Sequence, residues 1–197
     1  MKKLYILALA LTLSISAAAQ TQVMRVTLNN GSSQTFHVGD IAEITFGEET
    51  PAQKLAGEYY GTNTLAVGSV ATYNVDITPE ITANEDGTIN LSFPEYDIPN
   101  TMMGNLTLGA ITLSNIPYDE AENAFFLDYS NAGLKQHFKC ITPQGVASMD
   151  SDYTLGTGSS VKIEVTEDGI KITNPFKLGA MPFPLSATFE GKKKEAK

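Results

Sequence analysis

Residues Met102 to Pro117 alternate apolar with small polar side chains, the pattern of a strand with one face buried. Within the stretch the alternation changes phase: Leu106 and Leu108 share one parity, Ile111 and Leu113 the other. A slip of one residue turns every side chain to the opposite face, so a continuous strand here requires a bulge or a sharp bend. Gly109 is the residue placed to tolerate it. The expectation is a long strand bulged or bent at Gly109, as where a sheet turns the corner of a small barrel. Leu106, Leu108, Ile111 and Leu113 then line one apolar surface, with Ile89, Leu91 and Phe93 on the same wall.

The flanking chain obeys the same period. From Leu55 onward apolar residues recur every second position: Tyr73, Val75 and Ile77; Ile81 and Ala83; Ile89, Leu91 and Phe93; Phe125, Leu127 and Tyr129; then Leu185 to Phe189. Glu85-Asp86-Gly87 reads as a hairpin loop that sets Ala83 opposite Ile89, with glycine last in the left-handed region. Glu167-Asp168-Gly169 repeats the tripeptide, and matching the apolar faces there sets Val165 opposite Ile170 across a four-residue loop beginning at Thr166. Helix signal is confined to Tyr118–Glu122 and Asn131–Gln136, each too short to stand alone. Nine or ten strands on short loops, with no helix to cover a sheet, specify an all-β barrel or sandwich.

Two shorter pieces precede this body. Lys2 and Lys3, an apolar run from Leu4 to Ile15 and the small residues Ala17-Ala18-Ala19 form a secretory signal peptide over residues 1–19. Cleavage leaves Gln20 first, and no cysteine follows the cut to carry a lipid anchor there. A periplasmic or extracellular location follows. Residues 20–46 form a short N-terminal β segment, with Met24, Val26 and Leu28 alternating before Asn29-Asn30-Gly31 and Phe36 and Val38 after it. Gly47 to Lys54 is polar, contains Pro51 and lacks periodicity, so it reads as a linker. The barrel domain is then 55–191, and the lysine-rich 192–197 a solvated tail.

Composition excludes several functions. The formal charge of −9 becomes more negative once Lys2 and Lys3 are removed. Such a surface repels phosphate backbones, so nucleic acid is no partner. Beyond the leader no stretch is long and apolar enough for a transmembrane segment. Cys140 is the single cysteine, so the fold rests on packing and strand pairing without an internal disulfide. It reads as a small core residue beside Phe138 and Ile141.

Catalytic and metal signatures are thin. His37 and His137 lack a second histidine or a carboxylate at metal-ligand spacing. No Gly-x-Ser-x-Gly elbow occurs, and the glycine-rich Gly156–Ser160 lacks the lysine and the helix of a phosphate loop, reading as an inter-strand loop. Asp150-Ser151-Asp152 lacks the rest of a calcium loop and reads as a solvated turn. Asn90 and Asn105 match the glycosylation pattern but fall inside strands. No catalytic residue, metal or cofactor is assigned.

Several short motifs carry a family likeness. Gly57-Glu58-Tyr59-Tyr60-Gly61, the hairpin Asn84 to Leu91, and Met103 to Leu108 leading to Asn115-Ile116-Pro117 resemble the calycin-like (lipocalin-like) β-barrel domain of exported Bacteroidetes proteins. Ile41 to Phe46 and the linker resemble the leader region of that group. The resemblance implies an antiparallel barrel of about eight strands, a size at which the interior is either filled or holds one small ligand. It supplies no catalytic residues. Lipocalins proper carry a tryptophan near the first strand where Tyr59 stands, and their basic residue on the last strand has no counterpart in Leu185 to Phe189.

The leading expectation is therefore a non-enzymatic exported barrel that binds a small apolar or amphipathic molecule. Tyr60, Leu91, Phe93, Met102, Met103, Leu106, Leu108 and Ile111 are the candidate lining residues. The alternative is an interaction module with a filled barrel that docks another envelope protein. A cavity of about 300 Å³ or more separates the first from the second.

Overall fold

The computed structural model describes residues 22–28, 31–44, 48–179 and 184–195. The expected signal peptide and cleavage site, residues 1–20, fall outside the described residues. The chain divides into two compact units, Met1–Glu48 and Glu49–Lys197.

In the first unit β1 (Val23–Thr27) and β2 (Ser33–His37) pair antiparallel with Val26 opposite Gln34, and a 3-10 turn spans Val38–Asp40. The apolar-rich stretch from Ile41 to Phe46 forms no strand over residues 41–44. Its remainder, Thr45 and Phe46, is outside the described residues.

The second unit opens with α1 (Pro51–Leu55), followed by β3 (Gly57–Val67), β4 (Ala71–Ile77), β5 (Glu80–Ala83), β6 (Ile89–Phe93), β7 (Tyr96–Thr101), β8 (Gly104–Leu108) and β9 (Ile111–Ile116). The chain continues through β10 (Tyr118–Asp119), β11 (Ala124–Asp128), β12 (Lys135–Ile141), β13 (Ala147–Thr154), β14 (Ser160–Thr166), β15 (Gly169–Phe176) and β16 (Leu185–Lys193). The stretch read as a linker thus contains a helix. Thr50 accepts from the Gln53 backbone at 3.2 Å while the Gln53 side chain accepts from Thr50 N at 2.9 Å, a capping box with Pro51 in the first turn. Ala52 and Leu55 are buried, and the Tyr59 hydroxyl donates to the Leu55 carbonyl at 2.7 Å.

The strands form a nearly closed antiparallel barrel. The larger, ten-stranded sheet runs β10-β11-β14-β15-β16-β3-β5-β6-β9, with β4 paired to β3 beside this path. Its outermost members, β9 and β10, are consecutive in the chain, and Phe126 N of β11 donates to Pro117 O between them at 3.1 Å. Closure therefore runs through one bent segment, residues 111–119. A second sheet, β13-β12-β8-β7, carries the wall at the other end; it lies beside β4 and reaches the end of β15 through the Leu155–Leu178 bridge. The expected eight or so strands are consequently more numerous and shorter, because long strands break within the larger sheet at Thr78-Pro79 and between the sheets at Pro94-Glu95 and Gly109-Ala110.

Of the two expected forms Gly109 takes the sharp bend: it is a corner, where the chain passes from β8 in one sheet to β9 in the other. Its φ lies outside the left-handed region. Glycine is needed because a Cβ there would stand 2.7 Å from His137 Cβ on β12, and Gly109 N donates to His137 O at 2.9 Å. The bulge in this stretch lies farther on. Ile89 and Leu91 pair with Ile116 and Leu113, so β9 carries one extra residue, and Asn115 takes φ 56°. Asn115 N donates to Asn90 Oδ1 at 3.0 Å, which anchors the kink that closes the barrel.

Both expected hairpin registers occur, Ala83 opposite Ile89 and Val165 opposite Ile170, with Gly87 at φ 85°. The second loop is tighter than expected, because Thr166 also pairs with Gly169. The two segments read as short helices are instead the β10–β11 turn and the loop leading into β12. Lys192 and Lys193 are no tail either: they pair with Tyr60 and Tyr59, and Lys194 Nζ lies 3.1 Å from the Glu58 carboxylate.

Candidate functional site

Inward-facing side chains of β3, β5, β6, β8, β9 and β12–β16 meet in one apolar core. Leu65, Ile81, Ile89, Leu91, Leu113, Phe138, Ile163, Ile172 and Phe189 are all fully buried. Leu106 and Leu108 before the corner and Leu113 after it are buried in this same core, and Ile111 packs against it. The phase change at Gly109-Ala110 therefore keeps one apolar face inward across two sheets.

The candidate lining residues separate into two groups. Leu91, Phe93, Leu106, Leu108 and Ile111 point into the barrel. Tyr60 and Met102 are 55% and 75% exposed, and Met103 43%. Tyr60 alternates outward on β3 and its hydroxyl donates to Asp76 at 3.2 Å, while the methionines form the tip of the β7–β8 hairpin. None of these three contributes to an interior wall.

Among the described residues, the inner space bounded by Phe93, Tyr96, Leu108, Ile111, Gln136, Asn174 and Phe176 is a slot of about 20 Å³. That is room for about one water molecule. The slot has a polar side that apolar alternation concealed. The Gln136 amide donates to the Gly109 carbonyl and the Tyr129 hydroxyl to Asn174 Oδ1. Burial pushes the Tyr129 phenol up and the Tyr96 phenol up to about 12. Asn63 on β3 faces Tyr96, which offsets part of that rise, yet no hydrogen bond of normal geometry closes between them. Asn63 is 1% exposed, and its amide nitrogen and oxygen both lack partners. Asn63 and Asn174 hold inward parity with Leu65 and Ile172.

A second concavity lies on the outer face of the four-stranded sheet. Glu95, Asp97, Asn105, Thr107, His137, Lys139 and Ile141 line an open groove of about 500 Å³. His137 sits between two carboxylates of β13, with Nδ1 2.9 Å from Asp152 and Nε2 3.2 Å from Asp150, and Lys139 Nζ is 3.4 Å from Asp150. Hydrogen bonding to Asp152 and the charges of both aspartates raise the His137 pKa above its ordinary value. Chain spacing hid these partners, because cross-strand register supplies them: His137 pairs with Asp152. Asp150 and Asp152 are strand residues, not a turn. The two ring nitrogens face different carboxylates, so this set does not converge on one ion, and among the described residues no cluster of metal-ligating side chains occurs. Cys140 is fully buried, with Sγ donating to Met103 O at 3.4 Å.

Comparison with known proteins supports the architecture. A crystal structure at 2.40 Å resolution of a Bacteroides fragilis protein, named as a working designation for the outer membrane, superposes with a TM-score of 0.52 at 20% identity. The match covers 87% of this chain and 66% of that one, so this chain spans just under two thirds of its neighbour's length. At that identity the likeness concerns the fold. No curated protein matches the sequence. The model of the calycin-like beta-barrel domain matches residues 55–192, from the buried Leu55 of α1 to the strand that closes the wall against β3. The chain belongs to the calycin-like β-barrel domain family.

Proposed function

We propose that this protein is an exported, non-enzymatic interaction module that acts through its outer surface by docking another protein of the cell envelope. The filled interior carries the reading: among the described residues the slot is about 20 Å³, far below the roughly 300 Å³ of an ordinary small-molecule site. The larger concavity, at about 500 Å³, is outside, on the β7-β8-β12 face. Its mixed charges suit a polar protein surface better than an apolar small molecule.

Native mass spectrometry of the protein purified from its own host tests this. A complex with a second, different chain is expected. A retained small molecule would turn the reading to ligand carriage, for which the unpartnered Asn63 amide is the favouring observation. An apolar or amphipathic ligand with one polar group would satisfy it, provided that the packed core opens.

A further inference from the structure

Charge is unevenly spread around the barrel. Residues 55–134, from the last residue of α1 to the edge of β12, hold eleven carboxylates and no lysine, arginine or histidine. Strands β3 to β8 all come from this stretch, and on β4 and at β7 it exposes Asp76, Glu95 and Asp97. Asp76 accepts from the Tyr60 and Thr62 hydroxyls and Asp97 from Thr107, but among the described residues none of the three carboxylates forms an ion pair. The nearest cations stand on elements farther out, and most are already engaged. On β12 His137 and Lys139 meet Asp150 and Asp152; on β16 Lys192 meets Asp168, Lys194 meets Glu58, and Lys193 donates to the carbonyl of Lys54. Lys54 itself belongs to α1, which packs on β5.

A break in the wall runs between these carboxylates. β5 and β6 stay paired as far as Glu80 opposite Ser92, where the ladder stops. Pro79 and Pro94 stand just beyond, and proline has no N–H with which to continue it. Past them β4 pairs with β3 and β7 with β8. The two strands run side by side, yet among the described residues no main-chain hydrogen bond joins them. A side-chain clasp spans the seam: the Tyr73 hydroxyl accepts from Met102 N at 3.1 Å. The far edge of the same four-stranded sheet is, by contrast, bonded through its backbone, Gly179 N donating to Thr154 O at 2.8 Å. Behind the seam lies Asn63. It pairs with Val75 of β4, faces Tyr96 at the start of β7, and is 1% exposed with both amide atoms unpartnered.

We propose that the β4–β7 seam is the docking site for an extended basic segment of the partner protein, taken up as an added strand. The proposal rests on the reading of this protein as an interaction module, and the seam borders the outer groove through Glu95 and Asp97. Strand edges with unmated N–H and C=O groups bind extended chain through its backbone, whatever its sequence. A strand seated between two others needs about 10 Å, twice the ordinary strand spacing, so the fork opens about its proline end. Side chains of the added strand then alternate. Those facing outward meet Asp76, Glu95 and Asp97, which selects lysine or arginine and rejects carboxylates. The inward one nearest Asn63 completes its amide. That position selects asparagine or glutamine, whose side chains donate and accept at once.

Two short labelled peptides test this by fluorescence anisotropy. Both alternate lysine with valine, and at the central inward position one carries asparagine and the other leucine. The asparagine peptide should bind at least fivefold more tightly than the leucine peptide, and a version with glutamate for lysine should not bind. Joint Glu95→Lys and Asp97→Lys should weaken binding at least tenfold, and Glu120→Lys, away from the seam, less than twofold. Circular dichroism reports that the double variant is folded; if it is not, Glu95→Lys alone takes its place. Asn63→Leu should reverse the preference between the two peptides, and Tyr73→Phe, which unfastens the clasp, should tighten both. Bound peptide should slow hydrogen exchange at residues 71–77 and 96–101. Neither lysine peptide binding at about 1 mM, affinity indifferent to the charge reversal, or protection confined to other strands overturns the proposal. A second chain retained in native mass spectrometry whose complex survives the charge reversal overturns the seam and leaves the interaction reading standing. The absence of any second chain strikes that reading itself.

Discussion

At the scale of single residues, three side chains carry separable consequences. Gly109 is held by proximity to β12, so Gly109→Ala should lower stability by about 1–3 kcal/mol through overpacking against His137, read from the urea midpoint. A neutral result would show that β12 yields freely. The buried, unpartnered amide of Asn63 makes a different prediction: Asn63→Leu should raise stability by about 1–3 kcal/mol, the penalty of an unsatisfied polar group. A loss would mean that the amide is satisfied in solution. His137 is protonated more readily in the folded chain than in the unfolded one, so its contribution to stability is complete below the unfolded pKa of about 6.5. That contribution is lost as pH rises through the raised folded value. Melting temperature should fall across this window, and the component should vanish in His137→Gln; a wild-type profile identical to the variant's would remove the clamp from the account.

At the scale of elements, alternation identified the inward faces of β6, β8, β11 and β16 and the registers of both Glu-Asp-Gly hairpins, because period and turn chemistry are local properties; Val165, matched to the apolar face of Ile170, is instead 67% exposed. What it missed depended on partners far along the chain. Whether the chain bulges or bends at Gly109 is undecided until β12 is known to pass over it. The aspartates around His137 are thirteen and fifteen residues away and meet it only through the register of β12 with β13. Asn63 and Asn174 look like polar exceptions until opposing walls enclose them. The helix α1 was legible in principle: Thr50-Pro51-Ala52-Gln53 is a capping box with proline in its first turn, outweighed by the polar, aperiodic residues around it. Because α1 buries Ala52 and Leu55, a chain starting at Gly57 should melt well below one starting at Glu49 in a thermal scan. Equal melting temperatures would make α1 ornamental.

At the scale of the whole molecule, the decisive property is how little room the described residues leave inside the barrel. Leu106→Ala should therefore open a true void and lower stability by about 2–5 kcal/mol, measured by urea denaturation, since Leu106 is 3% exposed within the core. A much smaller loss would indicate a looser interior, suited to carriage of a ligand. The pairing of β3 with β16 adds a constraint of timing. The opening strand of the barrel waits for the final one: Tyr59 finds Lys193, and Val67 finds Leu185, only when nearly all the intervening chain is present. A chain made from its beginning thus has one edge of β3 unmated, the other being taken by β4 and β5, until its last residues arrive. Such sequence-distant pairing makes barrel completion slow. A stalled or shortened molecule would expose its apolar lining to proteases, so the fold itself discriminates finished chains from unfinished ones.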